Sequence, residues 1–151
     1  RLPLITSEAV LTELFHLVGD SHREMETAWK FIRSGAIRVE AIEDAELPEI
    51  RDLMARYWDR PMDFADATLV WLARREGLST VFTVDHSDFE TYRIEGRRRF
   101  RVLPAKRPKD WQAAKKDRTG RLFPFILLRT TLQSGNLHSI RSAQVSFLRR
   151  V

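Results

Sequence analysis

Three carboxylates stand out in the sequence because their neighbours are mostly apolar or small. Glu13 and Asp66 each lie near the start of a predicted helix, and Asp85 directly follows a β-branched apolar run. In open α/β sheets, ligands bind beyond the carboxyl ends of the strands, where the strands give way to loops and helices. We therefore expect these three side chains to converge at that edge of a sheet.

A cluster of carboxylates predicts a divalent cation, because neighbouring carboxylates do not all stay ionised without one. Oxygen ligands suit Mg²⁺ or Mn²⁺, and the chain has no cysteine to favour a softer metal. Such an ion activates water and stabilises charge on a phosphodiester, so phosphoryl chemistry is the predicted reaction class. The competing interpretation is structural: a helix-surface glutamate at Glu13, a helix cap at Asp66 and a turn aspartate at Asp85.

Other polar residues near these positions are weaker candidates for metal binding or catalysis. Asp88 is as readily an aspartate at a helix start as a metal ligand. His16 and His86 are interpreted as packed or surface histidines, not as catalytic groups. The sequence contains no Gly-rich phosphate loop and no Ser-His-Asp order.

The elements that must position the carboxylates follow from hydrophobic periodicity. It predicts helices over 8–18, 21–33, 47–58 and 63–76, and strands over 37–42, 80–84 and 100–103. Helices alternating with short strands indicate an α/β fold around a mainly parallel sheet. The apolar run 2–6 ends at the capping residues Thr6 and Ser7. The chain thus opens inside a βα unit, and we expect a preceding strand to be missing.

Charge divides the chain into two parts. Residues 105–151 carry eleven basic and two acidic side chains, whereas residues 1–104 carry 15 basic and 19 acidic ones. The high pI therefore belongs to the tail, and it does not predict that the folded body binds nucleic acid through a basic surface. We interpret 105–151 as a disordered basic extension or as sequence outside the domain. A basic nucleic-acid-binding module in this tail is a further, weaker hypothesis.

For the tryptophans and for the arginine run, the sequence favours a role in folding or assembly over a role in binding RNA. Trp29, Trp58 and Trp71 occupy apolar helical positions, which favours a place in the core or in a dimer interface over base stacking. The run 97–99 is predicted to be a solvated hairpin turn, although its arginines could touch RNA phosphates. No apolar run approaches the roughly 20 residues that span a bilayer, so no contact with a membrane is expected.

Four segments in the predicted order and spacing resemble PIN-domain proteins, especially VapC-like toxins of toxin–antitoxin pairs. These segments are Thr6–Leu14, Asp63–Ala67, Val81–Phe89 and Arg99–Pro104. Each is weak alone, but together they are fairly specific, and they cover roughly residues 1–104. The resemblance implies a three-layer, Rossmann-like domain. It also implies a cytoplasmic, homodimeric endoribonuclease that hydrolyses RNA with two Mg²⁺ or Mn²⁺ ions and is inhibited by a cognate antitoxin.

Matching the family motif residue by residue assigns roles within the implied site. Glu13, Asp66 and Asp85 take the catalytic metal-ligand roles, and Asp88 is an outer ligand or a partner of a ligand. Thr83 would orient a carboxylate or a water molecule. Asp63 is either a ligand or a helix N-cap.

One departure from the family pattern bears on activity. The family's first acidic ligand is an aspartate at the end of the first strand, and no counterpart precedes Leu2. We therefore expect an N-terminally truncated copy. The alternative function is an inactive PIN-like remnant that only binds an antitoxin or associates with itself.

Overall fold

The computed structural model describes residues 3–60, 62–83, 85–103 and 127–129. The helices are α1 (Glu8–Val18), α2 (His22–Phe31), α3 (Leu47–Arg56), α4 (Phe64–Arg75) and α5 (His86–Thr91). The strands are β1 (Leu4–Ser7), β2 (Ile37–Glu40), β3 (Thr80–Phe82), β4 (Arg93–Glu95), β5 (Arg98–Arg99), β6 (Arg101–Leu103) and β7 (Leu127–Arg129). A π-helical turn over Ile32–Ala36 follows α2, and a 3-10 turn over Asp44–Glu46 precedes α3.

The predicted helices and strands are present, with small differences at their ends. Helix α1 has the predicted bounds, and Ser7 caps it by accepting a hydrogen bond from the Val10 N–H group at 3.4 Å. The apolar run before Ser7 is itself a strand, β1, which the periodicity did not identify. Helix α5 and strands β4 and β5 were also missed, because α5 has only six residues and the two strands are mostly charged, so none of them contains an apolar run.

The five-stranded sheet has the order β2-β1-β7-β3-β6. Strands β1 and β2 are parallel, with Leu4 opposite Ile37, and β3 and β6 are parallel, with Thr80 opposite Arg101. Strand β7 lies between β1 and β3 and is antiparallel to both. The other four strands therefore run in one direction. This confirms the predicted α/β fold with a mainly parallel sheet.

Strand β7 comes from the segment that the charge distribution separated from the domain. Leu128 lies opposite Ile5 of β1 and Val81 of β3, so three residues of this segment complete the middle of the sheet. The rest of 104–151 lies outside the described residues. Leu127–Arg129 thus belong to the sheet, and for the rest of the segment the division of the chain at residue 104 stays a prediction.

Helices cover both faces of the sheet. Ile5 and Val81 belong to the largest buried cluster together with residues of α3 and α4. Leu4 and Phe82, their neighbours along each strand, pack instead against Phe31 and Ile32 at the end of α2. Since successive strand residues point to opposite faces, the sheet has apolar cover on both sides. Within the described ranges, no helix has the length and apolarity needed to cross a bilayer.

The tryptophans divide between core and surface. Trp71 is buried in α4, as predicted for a core residue, and Trp29 is 44% exposed with its ring 4.6 Å from that of Phe15. Trp58 is 86% exposed and lies in a turn after the end of α3. Trp58 is therefore not a core residue, because α3 ends two residues before it, and its place in a dimer interface stays a prediction.

The hairpin predicted for the arginine run is confirmed, but only Arg97 lies in its turn, and Arg98 and Arg99 form strand β5. Strands β4 and β5 pair antiparallel, and Gly96 supplies a positive φ of 52° at the turn between them. Arg97, Arg98 and Arg99 are exposed there.

The topology brings the starts of two helices to one edge of the sheet. Strands β1 and β3 run in the same direction, so both end at this edge. Helix α1 begins directly after β1, and α5 begins a few residues after β3. Helix α4 packs on both β1 and α1, which places its side chains beside that edge.

Candidate functional site

Asp66 is the buried centre of the site. It lies in the first turn of α4, where the Asp63 side chain caps the helix by accepting a hydrogen bond from the Asp66 N–H group at 2.7 Å. Only 4% of Asp66 is exposed. The Tyr92 hydroxyl donates to its Oδ2 atom at 3.2 Å, whereas its Oδ1 atom is buried without a hydrogen-bond partner among the described residues.

This environment makes the Asp66 carboxyl hard to ionise. Burial raises its pKa well above the ordinary value, and the negative charge of Asp63 raises it further. The hydrogen bond from Tyr92 opposes these effects, while Asp88 and Asp85 add to them. A buried carboxylate with an unpaired oxygen and three acidic neighbours is what a cation would stabilise.

Glu13 approaches the same region from α1. Its side chain is half-buried, and its pKa rises to about 7. Loss of hydration is the largest cause, and repulsion by Asp63 is the second. Asp63 therefore acts electrostatically on both Glu13 and Asp66, which places carboxylates from two helices around it.

Asp85 and Asp88 lie at the start of α5. The Asp85 Oδ1 atom accepts hydrogen bonds from the Asp88 N–H group at 3.2 Å and from the Ser87 hydroxyl at 2.9 Å, so Asp85 caps this short helix. Burial raises the pKa of Asp88, and the negative charge of Asp85 raises it further.

Thr83 holds the chain that leads to this helix. Its buried hydroxyl accepts a hydrogen bond from the Asp85 N–H group at 2.9 Å. Its own N–H group donates to the Leu103 carbonyl at 2.9 Å, which extends the pairing between β3 and β6 by one residue. Thr83 therefore fixes the backbone of Asp85.

The fold gathers the predicted site residues into one region. Asp66 interacts electrostatically with Asp63, Asp85 and Asp88, and Asp63 links this group to Glu13. The side chains do not form a finished coordination shell, since within the described ranges no three acidic, histidine or cysteine residues are close enough to bind one ion. The region is therefore acidic, with Asp66 near Asp63, Asp85 and Asp88, and with Glu13 related to this group through Asp63.

The donor atoms suit a hard divalent cation. All of the clustered donors are carboxylate oxygens, and the Oδ1 atom of Asp66 has a free lone pair in a buried position. The side chains that would hold the ion are Glu13, Asp66 and Asp85, with Asp88 at the margin. The residues fit Mg²⁺ or Mn²⁺ in charge and donor type.

The sequence did not reveal two buried hydroxyl groups that connect α1 and α4 by hydrogen bonds. Ser7 and Thr68 are fully buried, with their hydroxyl oxygens 2.7 Å apart. Because the Thr68 hydroxyl donates to the Ala65 carbonyl at 2.7 Å, the Ser7 hydroxyl must donate to Thr68. These hydrogen bonds tie the cap of α1, which carries Glu13, to the first turn of α4, which carries Asp66. The capping signal found Ser7, but no local pattern marks its partner.

Tyr92 was missed for a similar reason. It follows α5 and is 26 positions from Asp66 along the chain. The hydrogen bond between the two side chains depends on the packing of α4 against this segment, which no short motif encodes.

Neither histidine considered in the sequence is placed among the metal-ligand candidates. His16 is exposed on α1. His86 follows Asp85 directly, and its Nε2 atom is buried without a hydrogen-bond partner in the part of the chain that the structure describes.

A comparison with protein families gives one match. The model of the PIN domain matches residues 2–95, which include Glu13, Asp63, Asp66, Thr83, Asp85 and Asp88. No curated protein matches the chain. PIN domains are generally nucleases, and they typically use divalent metal ions. The matched span covers more than half of the sequence and all of the acidic site, so the chain belongs to the PIN-domain family.

Proposed function

We propose that this chain is an endoribonuclease dependent on Mg²⁺ or Mn²⁺ and the toxin of a toxin–antitoxin pair. Its substrate is RNA, its inhibitor is a cognate antitoxin protein, and it acts in the cytoplasm as a homodimer. The observation that carries the proposal is Asp66, a buried carboxylate with an unpartnered oxygen among the described residues and with acidic neighbours at the cap of its own helix and at the start of α5. Membership of a nuclease family supports the same reaction class.

The proposed roles follow from the contacts of each side chain. Glu13, Asp66 and Asp85 bind the divalent ion, and Tyr92 orients the Asp66 carboxylate. Thr83 holds the backbone at Asp85, and Asp63 stabilises the helix turn that presents Asp66. When bound, the ion supplies an acidified water nucleophile and neutralises charge on the phosphodiester.

RNA cleavage tests this assignment directly. We expect the chain to cut single-stranded RNA in Mg²⁺, and the double variant D66N/D85N to lose at least about a hundredfold of that rate, because two ligands of the ion are neutralised. The matched control is D52N, which removes an exposed carboxylate of α3 that pairs with Arg51 at 2.6 Å. Cleavage that persists unchanged in D66N/D85N contradicts the assignment.

The alternative function is a PIN-domain protein without catalysis, which binds an antitoxin or associates with itself. It is favoured by the incomplete ligand set within the described residues. Calorimetric titration of the chain with Mn²⁺ separates the two functions. Binding at micromolar Mn²⁺ that is lost in D66N/D85N supports the nuclease, and the absence of such binding supports the alternative.

A further inference from the structure

We propose that the turn over 57–60, together with Phe64, binds single-stranded RNA beside the acidic site. We call this turn and Phe64 the aromatic turn. Trp58 and Phe64 stack on bases, and Arg60 contacts a backbone phosphate. The inference rests on the proposed function, since it assigns the surface that holds the substrate of that site.

One end of the aromatic turn is anchored to the acidic site through tyrosines. The Tyr57 hydroxyl accepts a hydrogen bond from the Arg93 N–H group at 2.9 Å. The Tyr57 ring meets the ring of Tyr92 edge-on, with centroids 5.0 Å apart. Tyr92 donates a hydrogen bond to Asp66, so the Tyr57 ring contacts a residue that itself contacts the buried carboxylate.

Arg60 anchors the other end of the turn. Its N–H group donates to the Tyr57 carbonyl at 2.9 Å and closes the turn. Its guanidinium donates to the Thr91 hydroxyl at 3.2 Å, and Thr91 is the last residue of α5, the helix that Asp85 caps. A cation thus stands at the margin of an otherwise acidic site, where an approaching phosphate would need one.

Trp58 projects from this anchored turn into solvent. It is 86% exposed, the most exposed large hydrophobic side chain in the described ranges. Phe64, the first residue of α4, is 43% exposed and lies between the acidic residues Asp63 and Asp66. Both aromatic side chains are therefore available next to the acidic site.

The pattern of side chains favours RNA over a protein partner. Exposed aromatic rings beside a cation match the alternation of bases and phosphates in a single strand, and stacking accepts any base. A protein interface would need a continuous apolar patch. Here the residues between Trp58 and Phe64 in the sequence include the charged and exposed Asp59, Arg60 and Asp63, and Met62 is buried, so these residues add no exposed apolar side chain to the two rings.

Binding without cleavage tests the proposal separately from the nuclease reaction. A fluorescent 12-nucleotide unstructured RNA is titrated with D66N/D85N protein in Mg²⁺ buffer, and anisotropy gives the dissociation constant. Adding W58A is expected to weaken binding about tenfold or more, and adding F64A several-fold, because each removes a stacking ring. Adding W58F should retain most of the affinity. Adding R60A should reduce the slope of log K against log salt by about one, because one phosphate contact is lost.

Matched controls come from exposed residues elsewhere on the surface. W29A removes another exposed tryptophan, L47A removes a hydrophobic side chain that is 43% exposed like Phe64, and R51A removes an exposed arginine of α3. Each should leave RNA affinity within about twofold of the parent. Thermal unfolding of every variant checks that the fold is retained.

Several outcomes would overturn the proposal. RNA binding by W58A and F64A equal to that of the parent would contradict it, as would a parent that binds no RNA. A drop from dimer to monomer in W58A with unchanged RNA affinity would make the aromatic turn an interface between copies. An equal loss for an abasic oligonucleotide would rule out stacking. If the variants weaken RNA binding as expected while the unmutated chain cleaves nothing, the RNA site stands and only the nuclease function fails.

Discussion

At the scale of single residues, the Asp66–Tyr92 pair sets the chemistry of the site. The Oδ2 atom of Asp66 accepts a hydrogen bond from the Tyr92 hydroxyl, and the Oδ1 atom has no hydrogen-bond partner among the described residues. The donated hydrogen bond fixes the plane of the carboxylate, so the free oxygen points in one defined direction. A side chain held in this way needs little further ordering to bind an ion.

Tyr92→Phe is expected to weaken metal binding by about tenfold and to lower the free energy of unfolding by about 1–3 kcal/mol. The cause is that Oδ2 of Asp66 would remain buried without its donor. Calorimetric titration with Mn²⁺ and urea unfolding measure the two effects.

Tyr57→Phe is the control for this variant, since it also removes a tyrosine hydroxyl hydrogen bond, here a half-buried one, but leaves the hydrogen bond to Asp66 in place. It should destabilise the fold with little change in Mn²⁺ affinity. Equal losses of Mn²⁺ affinity in the two variants would contradict a specific role for Tyr92.

Glu13 gives the metal-free protein a defined pH dependence. Its pKa rises from 4.5 to about 7 on folding, so between these values the folded state keeps a proton that the unfolded chain has released. The resulting stabilisation is fully present below about pH 4.5 and is lost as the pH rises through about 7. We expect the unfolding temperature in EDTA to fall across this range, and to fall less in Glu13→Gln.

Asp66 contributes with the same sign, so Glu13→Gln should remove only part of this decline. Glu26→Gln, an exposed substitution on α2, should leave it unchanged. Identical pH profiles for Glu13→Gln and the unmutated chain would contradict the burial of Glu13.

At the scale of elements, the buried hydroxyl chain couples two helices. Ser7 caps α1 and donates to Thr68, which in turn donates to the carbonyl of Ala65 in the first turn of α4. The helices that carry Glu13 and Asp66 are thereby held at a fixed separation. This link is a structural requirement of the site although neither hydroxyl is a ligand.

We expect Thr68→Val to lower the free energy of unfolding by about 1–3 kcal/mol, because the Ser7 hydroxyl would lose its buried acceptor. Ser7→Ala removes the same bond and the cap of α1, at a cost of about 1–2 kcal/mol for the cap. Urea unfolding of both single variants and the double variant gives the coupling energy. Effects that simply add would show that the two hydroxyls do not interact.

At the scale of the whole molecule, the sheet depends on a segment far along the chain. Strand β7 joins the pair β1–β2 to the pair β3–β6, and no other strand in the described ranges bridges them. The carboxylates that follow β1 and β3 therefore keep their relative positions partly through Leu127–Arg129.

Leu128→Pro is expected to destabilise the fold by about 3 kcal/mol or more, because proline removes a ladder hydrogen bond and fits poorly between two strands. Leu128→Val should be tolerated, since valine favours strands. Thermal unfolding followed by circular dichroism compares the two. A Leu128→Pro protein as stable as the parent would show that residues after 104 do not belong to the domain.

The sequence by itself determined the longer elements and the family. The sequence located helix α1 because it buries an apolar stripe over three turns, and helix α4 because it is a long run of mostly apolar and small residues buried on most of its surface. It also singled out Glu13, Asp66 and Asp85 as charges among apolar neighbours. Strands β4 and β5, which are three and two residues long and mostly charged, gave no such signal.

Only the tertiary structure decided how these pieces meet. The partners of Asp66 and Thr68 lie 26 and 61 positions away, and Trp58 became a surface residue because α3 ended early. Strand β7 entered the sheet although its segment looked like a basic tail. Such contacts depend on the free energy of packing distant segments together, which is a property of the folded chain and not of any local window.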